Sequence, residues 1–112
     1  MLELKLTEEQ QMLREMVRDF TNNEIKPIAA KIDQEAKIPE ELIKKMAELG
    51  FFGPTLPEEY GGMGVNNVAY GLMMTELERG DSGLRSFASV QSALVMYPIF
   101  TYGSEEQKKK WL

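Results

Sequence analysis

The chain reads as an all-α domain of about five helices. Apolar residues recur at three- and four-residue spacing through most of its length, helix-capping residues stand ahead of those stripes, and no run alternates apolar and polar as a half-buried strand would. Its 112 residues allow one domain with a single core, and 43% hydrophobic with 28% charged content is ordinary for a globular chain.

Thr7-Glu8-Glu9-Gln10 fits a capping box that opens the first helix. Leu13, Met16, Val17 and Phe20 follow at helical spacing, and the stripe resumes at Ile25, Ile28 and Ile32. Pro27 interrupts it and predicts a kink or short break. The second helix is expected to start at Pro39, a favoured first-turn residue. Leu42, Ile43, Met46 and Leu49 form its apolar face, and Gly50 stops it. FFGPTLPEEYGGMG then reads as a long ordered loop, since its Pro and Gly residues break both helix and strand. Asn66 or Asn67 caps a third helix running to Gly80, and Asp81 or Ser82 caps the fourth. Ser104-Glu105-Glu106-Gln107 is a second capping box and opens a fifth helix. That helix carries no stop signal before Leu112, so a continuing chain is expected.

Composition removes several chemistries. No Cys and no His are present, so thiolate nucleophiles, disulfides, a Ser-His-Asp triad and the usual zinc sites are not built here, and no metal site is expected. A net charge of -5 and one basic run, Lys108–Lys110 beside Glu105 and Glu106, argue against nucleic acid. Those lysines are expected on a solvated helix face. The N-terminus has no basic segment followed by an apolar run, so no signal peptide is expected, and cytoplasm or an organelle matrix is the default. The fourth helix is long enough to span a bilayer, but Arg85, Gln91, Pro98 and its serines make a buried helix of a soluble protein the expectation, with no membrane insertion.

Chemistry concentrates on that fourth helix. Between Asp81 and Glu105 the only formal charge is Arg85. Ser82, Arg85, Ser89 and Ser92 recur at spacings of three, four and three, which puts them on one helix face, with Ser86 flanking Arg85. One cation among hydroxyls suits a carboxylate, which a guanidinium grips bidentately while hydroxyls fill the remaining lone pairs. The competing reading is an internal ion pair of Arg85 with Glu78, Asp81 or Glu76, the serines being small packing residues. Phe87, Val90, Leu94 and Met96 are expected in the core. Glu58, Glu59, Glu76 and Glu78 read as solvated charges. Tyr60-Gly61-Gly62-Met63-Gly64 lacks the following Lys-Ser/Thr of a phosphate loop, so it is a weak phosphate signal.

The order of these segments resembles the N-terminal helical domain of the acyl-CoA dehydrogenases. LTEEQQMLREMVRDF and LGFFGPTLPEEYGGMG look like the general family opening, while ELERGDSGLRSFASVQSALVMYPIFTYGSEEQ looks like glutaryl-CoA dehydrogenase in particular. The resemblance covers essentially all of residues 1–112. It implies that Arg85 holds the distal carboxylate of a dicarboxylic acyl group, that Ser86 and Ser89 assist by hydrogen bonding, and that Glu78 orients the arginine. It further implies an acyl-CoA substrate, FAD as cofactor, electron-transferring flavoprotein as redox partner and a homo-oligomer, the family tetramer, in bacterial cytoplasm or the mitochondrial matrix. Family members continue into an FAD-binding β-domain and a C-terminal helical domain that carries the glutamate base. No catalytic residue is therefore expected in residues 1–112, and this piece alone is expected to be inactive, to bind no FAD and to expose apolar surface that those domains would cover. Two alternatives stay open: a dehydrogenase for another carboxylate-bearing acyl-CoA, non-decarboxylating or aromatic-succinyl, and a non-catalytic helical interaction module.

Overall fold

A computed structural model describes residues 5–112. The described residues contain α1 (Glu8–Phe20), α2 (Ala29–Glu35), α3 (Glu40–Glu48), α4 (Asn67–Gly80), α5 (Ser82–Ser89), α6 (Tyr97–Tyr102) and α7 (Glu105–Trp111), and no strand. A π-turn over Thr21–Ile25 and a 3-10 turn over Lys26–Ile28 join α1 to α2, and a second π-turn over Val90–Met96 joins α5 to α6. The seven segments thus build five rods, as the periodicity requires. They form a slab of 43 × 41 × 21 Å.

The ends of the helices follow the capping residues. Both capping boxes close: Thr7 accepts from the Gln10 amide at 3.1 Å while the Gln10 side chain accepts from the Thr7 amide, and Ser104 and Gln107 do the same. Asn66 caps α4 by accepting from the Ala69 amide, and Asp81 caps α5 by accepting from the Leu84 amide at 2.7 Å. Pro39 occupies the N-cap with extended backbone, so α3 begins one residue later than expected, at Glu40. Pro27 lies in the 3-10 turn, where its missing N–H is absorbed by the break in the helix. Gly50 ends the turn after α3 at φ +82°.

The core gathers Val17 and Phe20 of α1, Ile25 and Ile32, Leu42 and Met46 of α3, Phe51, Met73, Met74 and Leu77 of α4, and Leu84 and Ala88 of α5. Helix α4 lies at its centre, packed on α1 and α5. Phe20 and Phe51 meet edge to face, with centroids 5.2 Å apart. Met16 and Leu49, placed on apolar faces by spacing, are exposed at the edges of those faces. The 51–65 loop folds on itself through backbone bonds from Gly64 to Leu56 and from Val65 to Pro54. It is pinned to α5 by the Phe52–Phe87 ring contact. A second pin joins it to α7, where the Tyr60 hydroxyl lies 2.8 and 2.9 Å from the two Glu105 carboxylate oxygens.

Two expectations fail in this region. Lys108 is not a solvated lysine: its ammonium lies 3.6 Å from Glu105 and 5.2 Å from the centroid of Phe100, whose ring meets that of Tyr60. The helix carrying Arg85 is not buried all round. Leu84, Ala88 and Ser92 face inward, whereas Phe87, Val90, Leu94 and Val95 are exposed, Leu94 at 69%. Met96 is half-buried against Gly53. The slab is too thin to enclose this helix, so its outer apolar stripe is bare, which is the exposed surface expected of the piece alone.

Candidate functional site

Helices α4 and α5 meet at a tight corner, with Asp81 alone between Gly80 and Ser82. That corner brings Glu78, in the last turn of α4, against Arg85, in the first turn of α5. Arg85 Nε donates to Glu78 Oε2 at 2.7 Å, and Arg85 Nη1 donates to Ser89 Oγ at 3.0 Å. Ser89 Oγ donates in turn to the Ser86 carbonyl at 3.1 Å. Ser82 Oγ donates to Glu78 Oε1 at 2.8 Å, so both Glu78 oxygens are engaged. The Arg85 and Ser82 hydrogen bonds, in that order, hold the Glu78 carboxyl below its ordinary value of 4.5.

Of the three acids that spacing offered to Arg85, only Glu78 takes it. Asp81 caps α5. Glu76 is buried, contrary to the expectation of a solvated charge, and pairs with Arg79 at 2.8 Å. A guanidinium has five N–H donors, and Glu78 and Ser89 engage two. The other three carry no hydrogen bond to the described residues. The side chain is about one-third exposed and forms part of a depression of about 440 Å³ with Met74, Thr75, Glu78 and Arg79.

The hydroxyl stripe does not stay on one face. Ser92 is 4% exposed and turned inward, where it donates to the Ala88 carbonyl at 2.8 Å and lies 3.0 Å from the Tyr70 hydroxyl. The Val90–Met96 turn is wound at five-residue rather than four-residue hydrogen bonding, so regular helical spacing does not carry across it. Ser86 lines a separate shallow groove with Ile38, Gly83, Phe87, Val90 and Gln91. Sequence reasoning missed Tyr70, which lies 22 residues from Ser92, and the Met74 and Thr75 wall. No local spacing links residues so far apart.

The glycine-rich turn is closed on its own chain. The Gly62 amide donates to Pro57 and the Gly64 amide to Leu56, and a Cβ at Gly62 would strike the Leu56 carbonyl. These glycines let the loop pack on itself, so the turn does not fit the diphosphate of a dinucleotide such as FAD. Among the described residues no group of three acidic side chains could hold a metal, and no helix is long and apolar enough to cross a membrane.

The family described as "Acyl-CoA dehydrogenase, N-terminal domain" matches residues 7–112. The mitochondrial short-chain specific acyl-CoA dehydrogenase of Sus scrofa is 42% identical over 109 residues, covering 97% of this chain and 26% of that protein. The 3-(aryl)acrylate reductase of Clostridium sporogenes is 42% identical over 106 residues, covering 95% of this chain and 28% of that protein. A glutaryl-CoA dehydrogenase of Mycobacterium smegmatis, solved with FADH2, superposes with a TM-score of 0.90 at 44% identity, covering 95% of this chain and 27% of that one. The chain thus spans about a quarter of the length of the relatives it matches. It belongs to the acyl-CoA dehydrogenase N-terminal domain family.

Proposed function

We propose that residues 1–112 form the acyl end of the substrate pocket in a flavin-dependent acyl-CoA dehydrogenase whose acyl group ends in a carboxylate, with glutaryl-CoA as substrate and crotonyl-CoA and carbon dioxide as products. The observation that carries this reading is the state of Arg85. Glu78 and Ser89 fix its guanidinium from one side and leave three N–H donors for a second anion. Two parallel N–H groups match a carboxylate bidentately, and the planar fork loses little freedom on binding because Glu78 and Ser89 already hold it. Met74 and Thr75, which wall the depression holding Arg85, offer apolar contact to the methylenes next to that carboxylate. Ser86 follows Arg85 on α5 but lines a separate groove, so its hydroxyl is proposed for the polar end on the resemblance alone.

In this reading the enzyme contains further domains, and the residues that hold FAD and remove the α-proton lie outside residues 1–112. Bound FAD supplies the hydride acceptor. Electron-transferring flavoprotein is the redox partner, and the enzyme is a homo-oligomer in bacterial cytoplasm or the mitochondrial matrix.

The test replaces Arg85 with Gln or Met in the full-length enzyme, keeping volume and removing the cation. Loss of a charge-assisted contact in a desolvated pocket costs on the order of 2–5 kcal/mol in transition-state binding. The fall in kcat/KM is expected for glutaryl-CoA and should be far smaller for butyryl-CoA. Equal losses on both, with a lowered melting temperature, would make Arg85 a structural ion-pair residue instead.

A further inference from the structure

We infer that Tyr70 and Ser92 are positioning residues: their hydroxyls tie α4 to the π-turn at Val90–Met96 and so set how the Arg85–Ser89 group sits against the α4 wall of its depression. This inference rests on the reading of Arg85 as a carboxylate anchor.

The proton count fixes the direction of the brace. Ser92 has one hydroxyl hydrogen, and its 2.8 Å bond to the Ala88 carbonyl uses it. The 3.0 Å contact with Tyr70 must then run from the Tyr70 hydroxyl to Ser92 Oγ. The chain Tyr70 to Ser92 to Ala88 thus links α4 to a carbonyl of α5 at the point where the helix widens. Beyond it, the Tyr97 amide bonds back to the Ser92 carbonyl, five residues away. Each π-turn places an extra residue in the helix, and one residue rotates the next segment of the helix by about 100°. The brace ties that rotation to α4, and so sets where Arg85 and Ser89 stand against Met74 and Glu78 when Arg85 holds one end of a substrate. A buried hydroxyl is costly unless bonded, so its presence inside an otherwise apolar helix face calls for such a role. The brace also has room to move, because a cavity of about 140 Å³ lies against it, lined by Thr55, Asn67, Tyr70, Ser92, Ala93 and Tyr97.

The experiment uses the full-length enzyme with Tyr70→Phe, Ser92→Ala and Ser92→Thr. Amide hydrogen exchange across Val90–Tyr97 is expected to speed up about tenfold in Tyr70→Phe and Ser92→Ala, with Ser82–Ser89 unchanged. Ser92→Thr keeps the hydroxyl, and exchange should stay as in the parent. The kcat/KM ratio of glutaryl-CoA to butyryl-CoA should fall about five- to tenfold in the first two variants and be retained in the third. Unchanged exchange at Val90–Tyr97 overturns the brace. Faster exchange with an unaltered substrate ratio, or equal losses on both substrates, overturns its part in positioning. Arg85→Gln, measured alongside, reports separately on the anchor: if that change leaves the substrate ratio intact, the anchor reading fails and the brace stands or falls on exchange alone.

Discussion

Arg85 and Glu78 show how a pair can be structural and still leave a function open. Their 2.7 Å contact satisfies the demand that a charge on an apolar helix find a partner, yet it engages only the Nε edge of the guanidinium. The depressed Glu78 carboxyl gives this a sign. A group whose folded pKa lies below its unfolded value contributes stability above the unfolded value, and that contribution disappears as pH falls through the folded one. The pair should therefore be intact across the neutral range and loosen only below pH 4.5, the ordinary value for this carboxyl. A carboxyl-carbon NMR titration of Glu78 is expected to give a midpoint under 4.5 that moves back up in Arg85→Gln. A midpoint at or above 4.5 in the parent chain would mean the hydrogen bonds from Arg85 and Ser82 do not persist in solution.

Elements were far more legible in the sequence than the assignments of charges to partners. Both capping boxes, the Asn66 and Asp81 caps, the break at Pro27 and the Gly50 stop depend on residues three or four apart, and short-range chemistry determines them. The turns after Phe20 and after Ser89 are wound as π-helix, and no residue type signals that winding. The Arg85 face suffered for it: Ser82, Arg85 and Ser89 fall together as their spacing predicts, while Ser92, across the π-turn, points into the core. Charge placement failed for a related reason. Glu76 and Lys108 lie in polar stretches of sequence and pair within their own helices, with Arg79 and Glu105, but the burial of Glu76 and the seat of Lys108 over Phe100 come from packing between elements.

One close approach between elements also escaped the sequence. Gly80 ends α4 directly over the first π-turn, where an added Cβ would lie 2.7 Å from Thr21 Cγ2 and 2.8 Å from Ile25 Cγ2. Those two side chains are fully buried and have little room to yield. Gly80→Ala is expected to destabilise the domain by about 1–3 kcal/mol, as overpacking does. Denaturant unfolding checks it, and an unchanged or raised midpoint would show that α4 and the π-turn separate more readily than their packing implies.

At the scale of the whole molecule, a slab 21 Å thick cannot bury both faces of its outermost helix. Phe87, Val90, Leu94, Val95 and Tyr97 form an exposed apolar line along the helix that also carries Arg85. A stripe of this kind marks an interaction surface in a stable protein. It lies round the helix from Arg85, whose own depression is walled by Met74, Thr75, Glu78 and Arg79. The match over residues 7–112 shows the family, and its relatives are named for differing substrates, so the carboxylate is the point on which the proposed substrate depends.

That point is open to direct observation in a crystal structure of the full-length enzyme with glutaryl-CoA bound. The distal carboxylate should lie about 3 Å from the Arg85 guanidinium nitrogens that Glu78 and Ser89 leave free, with both of those contacts kept. A carboxylate placed more than about 4 Å from Arg85, beyond the reach of an ion pair, would contradict the assignment of Arg85 as the substrate anchor.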